Sequence, residues 1–146
     1  MSNPARVARI EDFETGQTAS VTKTFTDEDL RRFIEICGDT NPLHVDGEFA
    51  AGSQFGRRIV HGTMTASLFS TLMGTLLPGT GAIYRSLSIR FLRPVYVGDT
   101  VTAHFRVRSV NRAKHRLEID AWIENERGER VIEGTCEAGL LRASAG

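Results

Sequence analysis

The chain has 146 residues, of which 40% are hydrophobic and 25% are charged, and its 18 basic side chains balance its 18 acidic ones. This composition predicts a single soluble domain over residues 1–146 with a core of its own. The zero net charge predicts no nucleic-acid partner. No stretch reaches the roughly 20 apolar residues of a membrane span, so we expect no membrane partner. Two distant cysteines, Cys37 and Cys136, and no apolar run near the N-terminus favour a reduced, cytoplasmic protein.

The first part of the chain is predicted to form a leading loop, a strand and a helix. Residues 1–16 are polar and predict the loop, and the loose alternation over 17–25 predicts the strand. Thr26, followed three residues later by Asp29, has the pattern of a capping box at a helix start. The helix is predicted to end at Gly38. Its apolar side chains recur at helical spacing: Leu30, Phe33, Ile34 and Cys37.

The rest of the chain predicts one buried helix followed by a sheet. Residues 63–77 contain no charged side chain and are apolar or small on every side, so we expect protein to cover this helix all round. From residue 82 apolar residues recur at every second position, which predicts antiparallel strands with one buried face over 83–91, 101–108, 117–124 and 132–140. On the first strand this face comprises Ile83, Leu87, Ile89 and Phe91. The pattern predicts an α+β fold, in which a curved antiparallel sheet wraps around a long central helix.

The stretch from Asp39 to Ser67 carries side chains suited to proton transfer. Asp39 and His44 flank the stiff residue Pro42, and carboxylates and imidazoles transfer protons near neutral pH. Gly62 begins the second helix, where a free backbone N–H can hold an anionic oxygen and no side chain hinders its approach. Ser67, one turn further on, can donate to a substrate or to Asp39. These are the parts needed to add water to an unsaturated acyl thioester, or to remove it.

Simpler interpretations of the same residues stay open. Asp39 before Asn-Pro can form an Asx turn, His44 can be a half-buried histidine, and His61 can brace the helix start. All three are possible metal ligands, but the sequence has no His-x-His, His-x-x-x-His or paired-cysteine pattern, and we expect no metal. Cys37 is a candidate nucleophile, although a small buried cysteine is the commoner case.

At these residues the chain resembles the MaoC-like family of (R)-specific enoyl-CoA hydratases, which have the hot-dog fold. The similarity runs from about Phe13 to Leu141 and includes the Asp-x-Asn-Pro-x-His pattern over residues 39–44. Further matching pieces follow in the same order: Val60-His61-Gly62, Ser67, Leu77-Pro78-Gly79, Phe91-x-x-Pro94-Val95 and Val97-Gly98-Asp99.

The resemblance implies that Asp39 and His44 activate water and transfer protons, that the Gly62 N–H holds the thioester oxygen, and that Ser67 supports the site. Three neighbouring polar residues are expected to bind the substrate: Asn41, His61 and Thr63. The substrate is then an acyl-CoA, with acyl carrier protein as the alternative carrier, and no separate cofactor is needed because coenzyme A is part of the substrate. A homodimer whose two sheets join edge to edge is also implied.

Two other functions remain as alternatives. The first is a hot-dog thioesterase. Such enzymes commonly carry an acidic residue on the central helix, and residues 63–77 contain none, which weighs against this alternative. A catalytically silent module that binds acyl thioesters is the other.

Overall fold

A curved, five-stranded antiparallel sheet forms the framework of the computed structural model, which describes residues 6–142. The strands lie side by side in the order β1-β3-β4-β5-β2, so β1 and β2 are the two edges. Their bounds are Thr18–Thr24 for β1, Ile83–Phe91 for β2, Thr100–Asn111 for β3, Arg116–Asn125 for β4 and Arg130–Gly139 for β5.

Four α-helices precede β2 in the part of the chain that the structure describes. They are α1 (Asp27–Cys37), α2 (Pro42–Val45), α3 (Gly47–Ala51) and α4 (Gly62–Thr71), and α4 continues into a π-helical turn over Leu72–Leu76. None of the helices within residues 6–142 is long and apolar enough to cross a membrane.

The core lies between α4 and the concave face of the sheet. Phe69 of α4 is fully buried, and its ring stacks on Phe105 of β3 with the centroids 5.7 Å apart. Alternate residues of β3 and β4 point to this face and are at most 1% exposed, as the period of two predicts. Burial of each large apolar side chain contributes about 1.5–3 kcal/mol, so this layer holds α4 firmly. The predicted α+β architecture is therefore confirmed.

The central helix differs from its prediction in two ways. It is not covered all round, because a stripe of small residues faces solvent in the single chain: Thr63, Ser67, Ser70, Thr71 and Gly74. The expected regular helix also widens after Thr71, where the Leu77 N–H bonds to the Leu72 carbonyl. The Met73 carbonyl, which would accept from Leu77 in an α-helix, instead accepts from the Gly79 N–H.

Strand β2 also departs from its prediction, because it contains an irregularity between Tyr84 and Ser86. A bulge of one residue changes the face on which the preceding side chains lie. Tyr84, rather than Ile83, therefore packs against the core together with Ile89, and Ile83 is 43% exposed. As an edge strand, β2 pairs only with β5, so its predicted buried face is half open: Leu87 is 40% exposed and Phe91 is 55% exposed.

The N-terminal segments match their predictions in part. The expected leading loop contains a 3₁₀ turn over Ile10–Asp12, and its apolar side chains, Ala8, Ile10 and Phe13, join the core. Thr26 and Asp29 form the predicted capping box, and Gly38 ends α1 with φ 77°. Burial decreases along α1, because only its first turns lie against the core. Leu30 is 1% exposed, whereas Cys37 is exposed, which contradicts a buried Cys37.

Candidate active site

The loop after α1 positions Asp39 and His44 through two consecutive turns. The Oδ1 atom of Asp39 accepts a hydrogen bond from the Asn41 N–H at 3.1 Å, which is the Asx turn considered above. The Asn41 side chain accepts from the Leu43 N–H at 3.1 Å and so caps α2, with Pro42 as its first residue. The Asn-Pro pair, predicted only as a turn, therefore starts the short helix α2, which carries His44. The second carboxylate oxygen of Asp39, Oδ2, takes no part in the Asx turn.

His44 is held with one ring nitrogen directed toward Asp39. Its Nδ1 atom donates to the Ile59 carbonyl at 2.8 Å, and because a carbonyl only accepts, the proton lies on Nδ1. The Nε2 atom then carries a lone pair, 3.9 Å from Oδ2 of Asp39. This separation is too long for a direct hydrogen bond and suits a bridging water. The His44 side chain is 10% exposed and that of Asp39 is 52% exposed, so a solvent molecule can reach both groups from the Asp39 side.

The ring of His61 lies behind this pair and has almost no contact with solvent. Its Nε2 atom donates to the main-chain carbonyl of Asp39 at 3.0 Å, and its side chain is 1% exposed. It stacks on His44 with the ring centroids 3.7 Å apart and the planes inclined by 26°. The ring of Phe33 lies 5.0 Å from His61 and is tilted by 60°. His61 therefore contacts both members of the pair.

The bare start of α4 lies beside these rings. Within residues 6–142 the Gly62 N–H has no hydrogen-bond acceptor, and the preceding residue, His61, makes no side-chain capping bond. A Cβ atom on Gly62 would lie 2.6 Å from Cε1 of Phe91. A side chain here would have to displace the Phe91 ring, and its absence leaves the amide available to an anionic oxygen.

An apolar cavity of about 270 Å³ opens next to Gly62. Its walls come from the segment before α4, from α4 itself and from the end of β2: Ile59, Val60, Thr65, Phe91, Leu92 and Val95. Small-molecule sites combine an apolar wall with a few polar groups that orient the ligand. This cavity has that character, with the Gly62 amide at its edge.

The remaining candidates lie nearby but make other contacts. Ser67 donates its hydroxyl to the Met64 carbonyl at 2.5 Å, and no hydrogen bond joins it to Asp39 within the described chain. Ser67 and Thr63 share the exposed stripe of α4. The side-chain oxygen of Asn41 is engaged in capping α2. Asp39, His44, His61 and Gly62 thus form the compact centre, and the roles of Ser67, Thr63 and Asn41 toward a substrate stay predictions.

A metal could be considered, because the possible ligand atoms of Asp39, His44 and His61 lie within 4.8 Å of one another. One feature argues against it. His61 directs its Nε2–H to the Asp39 carbonyl, so this nitrogen is already engaged in a hydrogen bond. One imidazole and one carboxylate are left, fewer than the three protein ligands of a catalytic zinc. The geometry favours proton transfer.

A carboxylate, an imidazole and a helix-start amide, all at one end of a helix wrapped by an antiparallel sheet, define a hot-dog protein with a site for acid–base chemistry. The chain belongs to the MaoC-like domain family, whose family model matches residues 11–127.

The chain is similar to proteins of known activity along most of its length. It is 40% identical over 124 residues to an (R)-specific enoyl-CoA hydratase of Aeromonas caviae. This aligned region covers 85% of this chain and 92% of that protein. It is 41% identical over 114 residues to a 3-hydroxybutyryl-CoA dehydratase of Methylorubrum extorquens, with 78% and 73% coverage. The solved structure of the A. caviae (R)-hydratase superposes with a TM-score of 0.87, at 39% identity, over 90% of this chain and 99% of that chain. The predicted family and hot-dog fold are confirmed.

Sequence reasoning missed three groups that complete the site. Phe33 supports His61, the Ile59 carbonyl fixes the His44 tautomer, and Phe91 lies against Gly62. Phe33 was assigned only to the core side of α1, and a main-chain carbonyl leaves no signal in the sequence. Phe91 lies 29 residues from Gly62 in the chain, so only the fold brings the two together.

Proposed function

We infer that this protein is an (R)-specific enoyl-CoA hydratase, a hydro-lyase that reversibly adds water to a trans-2-enoyl thioester to give the (R)-3-hydroxyacyl thioester. The observation that carries this inference is the 3.9 Å gap between Nε2 of His44 and Oδ2 of Asp39, beside the free Gly62 amide. Relatives with 40–41% identity that are named as a hydratase and a dehydratase support it, because these names describe the two directions of one reaction.

In the proposed reaction a water molecule sits between Asp39 and His44. Its oxygen bonds to the β-carbon of the substrate while one of its protons passes to the lone pair on His44 Nε2, with Asp39 orienting the water. The electrons of the double bond move toward the thioester carbonyl, and the Gly62 N–H stabilises the resulting enolate oxygen. His44 then returns this proton from Nε2 to the α-carbon on the same face of the substrate, so the addition is syn and the protein is back in its starting protonation state.

The acyl chain is proposed to occupy the apolar cavity beside Gly62. That position places the thioester carbonyl at the amide and leaves the carrier to extend into solvent past the half-exposed Asp39. Coenzyme A is the proposed carrier, and acyl carrier protein is the alternative because it presents the same pantetheine arm. No separate cofactor enters the reaction.

We also propose a cytoplasmic homodimer in which the β2 edges of two copies join. The unpaired side of β2 offers main-chain groups for a further strand. Its exposed apolar side chains, Ile83, Leu87 and Phe91, would be buried by such pairing.

A spectrophotometric assay tests the reaction directly. Hydration removes the absorbance of the conjugated enoyl thioester, so crotonyl-CoA and longer enoyl-CoAs should lose it on addition of the protein, and chiral analysis should show the (R)-3-hydroxyacyl product. Asp39→Asn and His44→Ala should each lower kcat by roughly 10²-fold or more without unfolding the protein. Asp120→Asn and His104→Ala, on the opposite face of the sheet, serve as controls.

The same preparation separates the alternatives. Release of free coenzyme A thiol without hydration would identify a thioesterase, and binding without either reaction would identify a silent binding module. Normal turnover in both the Asp39 and the His44 variant would contradict the catalytic roles assigned to these two residues. Parallel assays with enoyl-CoA and enoyl-acyl carrier protein identify the carrier.

A further inference from the structure

His61 occupies a helix position whose usual purpose it does not serve. It is the N-cap residue of α4, a place where Ser, Thr, Asp or Asn normally accepts a hydrogen bond from the first helical amides. The His61 side chain makes no such bond and instead turns back to donate to the Asp39 carbonyl, 22 residues earlier, at 3.0 Å. This hydrogen bond ties the helix start to the loop that carries Asp39.

The ring of His61 is also the surface on which His44 rests. The two imidazoles stack at 3.7 Å, and Phe33 supports His61 at 5.0 Å. His61 is 1% exposed, so a substrate that enters from solvent does not reach its ring. One buried side chain therefore contacts the Asp39 main chain and the His44 ring and is covalently joined to Gly62.

The second ring nitrogen of His61 shows that this arrangement is not explained by burial alone. Its Nδ1 atom is buried and has no hydrogen-bond partner. Because Nε2 donates to a carbonyl, the neutral ring leaves an unpaired lone pair on Nδ1, whereas protonation would leave an unpaired N–H and place a cation against His44. An apolar side chain would avoid both problems. The Nε2–H donor is the feature that an apolar ring could not supply.

We propose that His61 is a positioning residue of the hydratase site, which fixes the Asp39 main chain and the His44 ring relative to the Gly62 amide. This proposal rests on the proposed function, and it replaces the expected substrate contact of His61 with an indirect role. The hydrogen bond and the stacking make separable contributions, and both act on the geometry of the reacting groups rather than on substrate affinity.

Two substitutions separate these contributions. His61→Phe keeps an aromatic ring against His44 but removes the donor to Asp39. His61→Gln keeps a donor at nearly the same distance from the main chain but removes the ring. We expect His61→Phe to lower kcat by about 10–100-fold with little change in KM, and His61→Gln to retain several-fold more activity than His61→Phe.

The matched control is His104→Phe, because His104 also stacks on an aromatic ring, Trp122 at 5.0 Å, and also bonds an acceptor, Glu124 at 2.9 Å. His104 lies on the outer face of the sheet, so its variant should keep wild-type kcat. Thermal unfolding of each variant identifies any loss that comes from global destabilisation.

The outcomes distinguish this proposal from the function on which it depends. Hydration by the wild-type protein establishes the function, and the His61 variants are compared only against that rate. Wild-type kcat in a folded His61→Phe, or a change confined to KM, would overturn the proposal while leaving the hydratase assignment intact. Nitrogen-15 NMR gives a readout that needs no activity: the wild-type His61 imidazole should carry a proton on Nε2, and an Nε2 atom without a proton would contradict the proposed hydrogen bond.

Discussion

Replacement of Gly62 by alanine should damage catalysis far more than stability. The added Cβ atom would lie 2.6 and 2.8 Å from two ring atoms of Phe91. Since non-bonded carbons settle at about 3.5 Å or more, the ring must retreat by about 1 Å. Phe91 is 55% exposed and therefore has room to move. Overpacking costs about 1–3 kcal/mol, and the better helix propensity of alanine returns up to about 1 kcal/mol.

The net destabilisation is then at most about 3 kcal/mol, which lowers Tm by at most about 12 °C in a domain of this size. Catalysis faces a different obstacle, because the methyl group stands beside the amide that we propose receives the enolate oxygen. We expect kcat/KM for crotonyl-CoA to fall by about 10²-fold, the usual effect of losing one such donor.

A second substitution separates the two effects. In Gly62→Ala/Phe91→Leu the smaller side chain should recover the lost stability, but the rate should stay low because the methyl group remains. Gly52→Ala is the matched control, since its Cβ would be no closer than 3.6 Å to any neighbour and it lies outside the site. Wild-type kcat/KM in a folded Gly62→Ala would refute the reasoning that the missing side chain lets the thioester oxygen reach this amide.

Three further predictions concern stability, thiol chemistry and assembly. Thr26→Ala removes the hydroxyl that caps α1 and should cost about 1 kcal/mol, or 2–4 °C in Tm, while hydration is unchanged; no shift in Tm would contradict the capping role. Burial raises the pKa of the Cys136 thiol to about 12, so an aromatic disulfide reagent at pH 8 should label Cys37 at once and Cys136 only after unfolding. Because that folded-state pKa exceeds the ordinary thiol pKa of 9.0, Cys136 should favour the folded state below about pH 9 and lose this contribution as the pH rises toward 12. Leu87→Lys on the open edge strand should shift the protein from dimer to monomer in light scattering, whereas Ser20→Lys on the opposite edge strand, β1, should not.

The elements that the sequence predicts well are those whose signals are local. The capping pair Thr26 and Asp29 lies within one helical turn, and Gly38 ends the helix through its own backbone freedom, so both are confirmed. The alternation over β3 and β4 is equally reliable, because both strands are interior to the sheet and bury one whole face. These features depend on neighbouring residues only.

Predictions fail where the outcome depends on distant parts of the chain. The face assignment of Ile83 and Tyr84 is reversed by a bulge that no residue pattern announces. The burial expected for Cys37 does not occur, because within residues 6–142 the end of α1 is exposed. In the site, the Asp39 and His44 pair is foreseeable from spacing, but the tautomer of His44 depends on the Ile59 carbonyl, whose position is set by the fold.

Strand β2 connects assembly with catalysis. Its open edge exposes Leu87, and the same strand ends at Phe91, whose ring lies against Gly62 and lines the apolar cavity. A partner strand that covers this edge would restrict the Phe91 ring and complete one wall of the cavity. A monomeric Leu87→Lys variant should therefore lose hydration activity in parallel with dimerisation, even though Leu87 is remote from Asp39 and His44 in the chain. A folded monomer with full activity would show instead that each chain holds a complete site.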